Sequence, residues 1–442
     1  MMGRMMHRHL GTVVDLLSPA SPRRTEVTAL AVALYVGLSA FLFFRTMDRL
    51  VIPGGDNTGR WAYAAYRDAT YYPVRAFLEG KNPYDPKEYL VSYPVGDVLP
   101  PYLPMTLLIH LPFGLVSFKA SAILYLLFTL ALTLVLAGLC LRMAGVGPTA
   151  ARVLLLGTFI LLTRPGQNNL LLGECTVVSV MATYATLFLA RQAPKAASVA
   201  FAFACFKPTF GAPLGVLLLA RRDWKVAIFG GLIAALLSAA AAGVIVLNVG
   251  LGPFVASALS AYDASEDHPD SHPVSSPSRI DAKGLIGRLL GEDPGVGSEL
   301  LLAAILLGLG GWGARLLAVP SETDESRSLA VTLTSLVILT SIFHQPYDLI
   351  LLVFPLLSIL EGWKRLPWSE HPFSGVVLVL LLFFLLFNYL GSATALARLG
   401  IHPREPAWVL LSSAGGVALL AALGLALRVS CACPVHRRDQ PS

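Results

Sequence analysis

The chain has 442 residues, of which 55% are hydrophobic and only 14% charged, with a mean hydropathy of +0.67 and a net charge of +6. Soluble domains carry about a quarter charged residues, so a water-solvated surface around an apolar core is excluded and a bilayer is the solvent that suits this chain. The basic excess is spread through short turns and not gathered on one face, which argues against a nucleic-acid partner and for the positive-inside bias of membrane proteins.

The basic opening, 1–24, precedes an apolar run at 27–44 with no small-residue cleavage site after it, so the run reads as a retained span and the N-terminus as cytoplasmic. Further runs at 120–140, 170–190, 226–248, 300–319, 373–390 and 407–427 each approach the length that crosses the hydrocarbon. Lipid satisfies no backbone polar group, so helices must dominate. Basic clusters at 23–24, 142–152, 191–195, 221–225, 364–365 and 428–438 mark cytoplasmic turns and a cytoplasmic C-terminus. Two polar segments, 48–102 and 249–298, then lie outside as the first and second outer loops. The expected architecture is a single all-α polytopic integral membrane domain, 1–442, in a cell's inner (plasma) membrane, with no soluble domain and no repeat.

Within the first loop, Tyr72, Ala76 and Phe77 share a helical face that Gly80 and Asn82-Pro83 terminate, which predicts a short helix lying in the interface. Asp85 closes the Asn82-Pro83-Tyr84-Asp85 turn, where a local bond to backbone is its expected use. The 102–117 segment is apolar but short and carries Pro104 and Pro112, so it is expected to be interfacial or re-entrant. Residues 196–220 sit between basic clusters and are split by Phe206-Lys207-Pro208, which predicts a hairpin of two half-length helices with Lys207 at its tip. The 260–281 stretch, crowded with Asp, Glu, His, Ser and Pro, is expected to be an exposed loop without helical periodicity. Of the five cysteines, Cys140, Cys175 and Cys205 lie in apolar segments and Cys431 and Cys433 follow the last span, so no disulfide framework or metal-ligand set is implied.

The first loop is long where other connections are short, and its residues are specific. Arg67-Asp68-Ala69-Thr70-Tyr71-Tyr72-Pro73 is followed by Leu78-Glu79-Gly80-Lys81-Asn82-Pro83-Tyr84-Asp85 and by Pro100-Pro101-Tyr102-Leu103-Pro104. Gly166-Gln167-Asn168-Asn169, Phe206-Lys207-Pro208 and His344-Gln345-Pro346-Tyr347-Asp348 follow in order. Together these motifs resemble glycosyltransferase family 87, the polyprenol-phosphate-mannose-dependent mannosyltransferases. The resemblance implies a GT-C-type bundle of about 10–12 transmembrane helices with interfacial helices in the first outer loop. It also implies an inverting, metal-independent hexosyltransferase, with mannose the donor sugar the resemblance favours, acting with a polyprenyl-phosphate sugar donor and a glycolipid or glycan acceptor at the outer face of the cell envelope. One departure lies in the outer turn, where some relatives pair two histidines and this chain has His344 followed by Gln345.

Sugar transfer from a lipid phosphate needs a base for the acceptor hydroxyl, and Asp68 is the candidate. The departing phosphate needs a cation, for which Lys207, Arg75 and Arg164 are available. His344 is a candidate contact to donor phosphate or acceptor, and Gln167, Asn168 and Asn169 offer amides to sugar hydroxyls. Tyr72 joins the substrate-binding candidates from the short interfacial helix. Glu174 is an ionisable group inside an apolar stretch and so a functional candidate, with protonation or pairing with Arg164 as its alternative explanations. No glycine-rich phosphate loop, metal cluster or Gly-x-Ser-x-Gly elbow is present, so no cofactor or metal is expected. A secondary transporter with a broken-helix substrate site is the competing reading, since it too uses many spans, intramembrane charges and an interrupted helix.

Overall fold

The computed structural model describes residues 24–266, 268–317, 324–363, 371–403 and 405–432. The basic 1–23 stretch, Lys364, Arg365, Cys433 and the arginines beyond it lie outside the described residues. Among those described, helix dominates and the only β-type pairing is an isolated bridge between Leu50 and Ala62. The chain is an all-α polytopic membrane protein.

In chain order, α1 (Arg24–Asp48) leads into the first long loop, which carries α2 (Tyr72–Leu78), α3 (Pro86–Ser92) and α4 (Met105–Ile109). Then come α5 (Phe118–Met143), α6 (Ala150–Leu162), α7 (Arg164–Leu172) and α8 (Thr176–Leu189). The hairpin α9 (Pro194–Cys205) and α10 (Pro208–Ala220) precedes α11 (Trp224–Val249). The second long loop holds α12 (Leu251–Glu266) and α13 (Ala282–Leu290). The chain finishes with α14 (Gly295–Leu317), α15 (Asp324–Ser341), α16 (Val353–Glu361), α17 (Pro372–Phe387) and α18 (Pro406–Ala432). Five of these, α1, α5, α11, α14 and α18, are long and apolar enough to cross a membrane, and α6, α8, α9, α10, α15 and α17 are shorter apolar helices. Their outward faces carry exposed Phe41, Phe44, Phe229, Leu232 and Leu236, the surface a hydrocarbon solvent selects and water would not.

Two expectations need correction. The 170–190 run is not one helix: it breaks after Leu172, where Gly173 takes a left-handed φ of +71° and ends α7 before α8 begins at Thr176. Apolarity sets which residues enter lipid, but a single left-handed residue still stops the ladder of backbone bonds. The 260–281 stretch is not wholly irregular either, because α12 continues to Glu266. A short helix in the first loop, the Asp85 cap and the split hairpin occur as read: α2 spans Tyr72–Leu78, the Asp85 carboxylate accepts from the Lys87 and Glu88 amides, and helix resumes at Pro208 after Cys205.

The hairpin stops part-way along its neighbour. Phe206 at the tip packs with Met105, Cys175, Ala202 and Ala234. Ala234 stands about ten residues, or roughly 15 Å, along α11 from the basic turn that holds Arg221 and Trp224. Over the remainder of α11, Ile245 packs with Val74, Tyr84, Leu99 and Leu107, and Asn248 lies against Gly80. The first long loop therefore lines the far half of α11 and reaches down to the hairpin tip, where the Leu103 amide donates to the Phe206 carbonyl at 3.1 Å. At its other end the loop is pinned by the Tyr63 amide on the Leu171 carbonyl at 2.7 Å. Both ends of this loop thus meet breaks between short helices.

Candidate functional site

Asp68 sits in a π-helical turn, Arg67–Tyr71, and is only 6% exposed. Arg67 grips its carboxylate twice, Nε to Oδ1 at 2.5 Å and Nη2 to Oδ2 at 3.0 Å, and the Gly96 amide donates to Oδ2 at 3.2 Å. The Tyr89 hydroxyl donates to the Asp68 carbonyl at 2.7 Å, fixing the backbone beneath. A Cβ on residue 96 would stand 2.6 Å from Arg67 Nη2 and would push on the guanidinium that holds Asp68. A carboxylate offers about four acceptor positions, and three donors leave one open. Burial pushes the Asp68 carboxyl above its ordinary value, with Arg67 and the Gly96 amide pulling the other way and Asp97 adding to the rise. Asp97 itself meets His268 of the second long loop at 3.2 Å, so the two loops join beside Gly96.

A second polar centre forms where three short elements end. Lys207, the residue before α10, places Nζ 2.7 Å from Asp348 Oδ1 and 3.0 Å from Thr176 Oγ1, and Thr176 donates to the same Oδ1 at 3.0 Å. His344 Nδ1 lies 2.9 Å from Asp348 Oδ2, which also accepts the Gln345 amide at 3.1 Å in a capping box. Four donors therefore occupy Asp348, and no position is left on it for a substrate proton. The other His344 nitrogen, Nε2, faces the Thr209 carbonyl at 3.2 Å, so both ring nitrogens face oxygen atoms of the protein. Lys207, 4% exposed, keeps its third N–H uncommitted, with the Tyr347 and Phe210 rings 4.6 and 5.4 Å from Nζ. Among the described residues, no group of histidines, cysteines and acids is arranged to hold a metal ion.

The remaining sequence candidates occupy other positions. Tyr72 packs among Tyr71, Tyr93 and Phe118 on the loop that carries Asp68. Arg75 is neutralised by Glu79 at 3.1 Å and donates to the Gly114 carbonyl at 3.3 Å. Arg164 donates to the Asn388 carbonyl, and Gln167 accepts from Arg45 at 3.2 Å, both at the opposite end of α7 from Glu174. Pairing with Arg164, one of the two alternative explanations for Glu174, does not occur. Asn169 spends its amide on the Pro165 and Tyr347 carbonyls, both at 2.9 Å, and so braces α7 against the 346–352 turn. The structure thus brings Lys207 and His344 together, keeps Asp68 and Tyr72 on one loop, and sets Arg164 and Gln167 apart.

Sequence reasoning passed over Arg67, Thr176 and Asp348. Two signals were present: a basic residue directly beside the candidate base, and an acid four positions after His344 at the Gln-x-x-Asp spacing of a helical cap.

Comparison with protein families finds that the model of glycosyltransferase family 87 matches residues 101–346. The matched stretch contains Glu174, Lys207 and His344, while Asp68 and Asp348 lie outside it. Comparisons with curated proteins and with solved structures return no match.

Proposed function

Because the chain belongs to glycosyltransferase family 87, we propose that it transfers a hexosyl group, mannosyl by the family resemblance, from a polyprenyl-phosphate donor to a hydroxyl of a glycolipid or glycan. The reading places transfer at the outer face of the plasma membrane, with both termini cytoplasmic. The observation that carries it is Asp68: a buried, oriented carboxylate with one acceptor position open, on a loop whose two ends abut the helix breaks around Lys207. The acceptor hydroxyl gives its proton to Asp68 as its oxygen bonds to the anomeric carbon. The bond from that carbon to the phosphate oxygen breaks with inversion, and the electron pair leaves on the polyprenyl phosphate.

Charge on the departing phosphate is met by Lys207, whose remaining N–H can donate to a phosphate oxygen while Asp348, braced by His344, holds the ammonium in place. Arg75 is the weaker phosphate candidate because Glu79 already neutralises it, and Arg164 because α7 separates it from Lys207. Tyr72 stands on the loop that carries Asp68, while Gln167 is engaged by Arg45 and Asn169 by the Pro165 and Tyr347 carbonyls. The charges at a broken hairpin would also suit a transporter, but membership of a glycosyltransferase family sets that reading aside.

The test is to incubate purified protein with a panel of polyprenyl-phosphate hexoses and membrane glycolipids and follow the transferred sugar. Product formation that Asp68→Asn abolishes supports the reading. Solute uptake by proteoliposomes with no covalent product, or full turnover by Asp68→Asn, overturns it.

A further inference from the structure

Glu174 is the one feature of the polar centre that the mechanism leaves unused. It follows Gly173 in the turn between α7 and α8, and its backbone amide is satisfied by the Asn169 carbonyl at 3.0 Å. The residue is 8% exposed, yet among the described residues its carboxyl neither accepts from nor donates to any group. Lys207 and Asp348 are close enough to act on it electrostatically, but neither bonds to it. A partnerless acid at this depth is costly, and folding alone gives no return for it. The adjoining wall is Cys175 and Tyr102, where the first long loop descends to Phe206.

We propose that Glu174 binds hydroxyl groups of the transferred sugar and helps select which hexose is used. This inference rests on the glycosyltransferase reading above and refines it. A carboxylate has two oxygens able to accept from neighbouring hydroxyls, the geometry a vicinal diol of a pyranose presents. Phosphate already has its counterpart in the Lys207 ammonium, which leaves Glu174 for the sugar. The sugar is joined to that phosphate, so a phosphate at Lys207 puts the ring within reach of the next polar side chain. A site built to hydrogen-bond a hydroxyl discriminates strongly against a sugar that lacks or inverts it, because the buried carboxylate is then left unpaired.

Glu174→Gln should have two opposite effects. With no partner to lose and a buried charge removed, thermal stability in detergent is unchanged or higher. With a charged hydrogen bond to the sugar replaced by a neutral one, kcat/KM for the polyprenyl-phosphate hexose falls roughly 10- to 100-fold, through the donor KM more than the acceptor KM. Preference among mannosyl, glucosyl and galactosyl polyprenyl phosphates narrows at the same time, and Glu174→Asp recovers part of it. If the native chain consumes none of these donors, the glycosyltransferase reading fails. If it consumes them and Glu174→Gln shows the native donor KM and the native sugar preference, the Glu174 proposal alone is overturned. A Glu174→Gln protein that melts well below the native one would also overturn it, by showing a structural partner.

Discussion

Arg67 does two things to Asp68, and they can be separated by experiment. It orients the carboxylate through two bonds, and its charge opposes the rise that burial imposes. A base works when ionised, so kcat/KM should fall as pH drops through the Asp68 value, which burial has moved above the usual carboxylate range. Arg67→Gln removes the opposing charge, and the acid limb should then move to higher pH while the alkaline limb stays put; a pH–rate profile with an unmoved acid limb would count against Asp68 as the base. Asp68→Asn should lose about 10²- to 10⁴-fold in kcat while the protein still reaches the membrane, as expression and size-exclusion profiles would report. Some loss of stability is expected with it, since Arg67 is buried and loses its ion pair with Asp68.

At the scale of elements, the ends of short helices do the work. Thr176 opens α8, Lys207 precedes α10 and Asp348 caps the 346–352 turn, so one buried ion pair ties three chain segments together. Breaking such a pair from one side leaves an uncompensated charge, a cost of about 3–5 kcal/mol. Lys207→Met and Asp348→Asn should each lower the thermal midpoint, and the double variant should be more stable than the sum of the two losses predicts. Additive losses in a double-mutant cycle would remove the coupling. In activity, Lys207→Met should raise the donor KM more than the acceptor KM. The Gly173 turn matters for the same reason: its φ is +71° and a Cβ there would meet Tyr66 Cβ at 2.5 Å. Gly173→Ala should therefore cost at least about 1 kcal/mol and, by pushing on Tyr66, displace Asp68 two residues on; a variant with native melting and native turnover would show that this contact yields freely.

For the whole molecule, the decisive matter is which side of the bilayer the first long loop faces. Basic turns at Arg221, Arg222 and Lys225 stand at one end of α11 and the loop clothes the other, and the proposed outward-facing loop rests on the positive-inside bias applied to that asymmetry. Lys87 is exposed on that loop, and Cys431 is exposed near the end of α18. A membrane-impermeant thiol reagent added to intact cells should label a Lys87→Cys protein at once and reach Cys431 only after permeabilisation. The reverse pattern would put Asp68 in the cytosol and end the proposed mechanism. The recessed hairpin tip has a similar global meaning: with Phe206 only part-way along α11, the proposed donor phosphate would have to pass beneath the loop to meet Lys207.

Composition by itself determined the solvent, and with the solvent came the helical class, because a chain this apolar can satisfy its backbone in lipid only through local bonds. Local chemistry was legible wherever neighbours in sequence are neighbours in space: the stop of α2 after Leu78, the Asp85 cap, the split at Lys207-Pro208. Tertiary structure decided what each charge is for. Asp348 lies 141 positions from Lys207 and 172 from Thr176, and no periodicity reports a contact across such separations. The same holds for Glu174, whose lack of a partner is a property of everything folded around it and of no residue beside it in the chain.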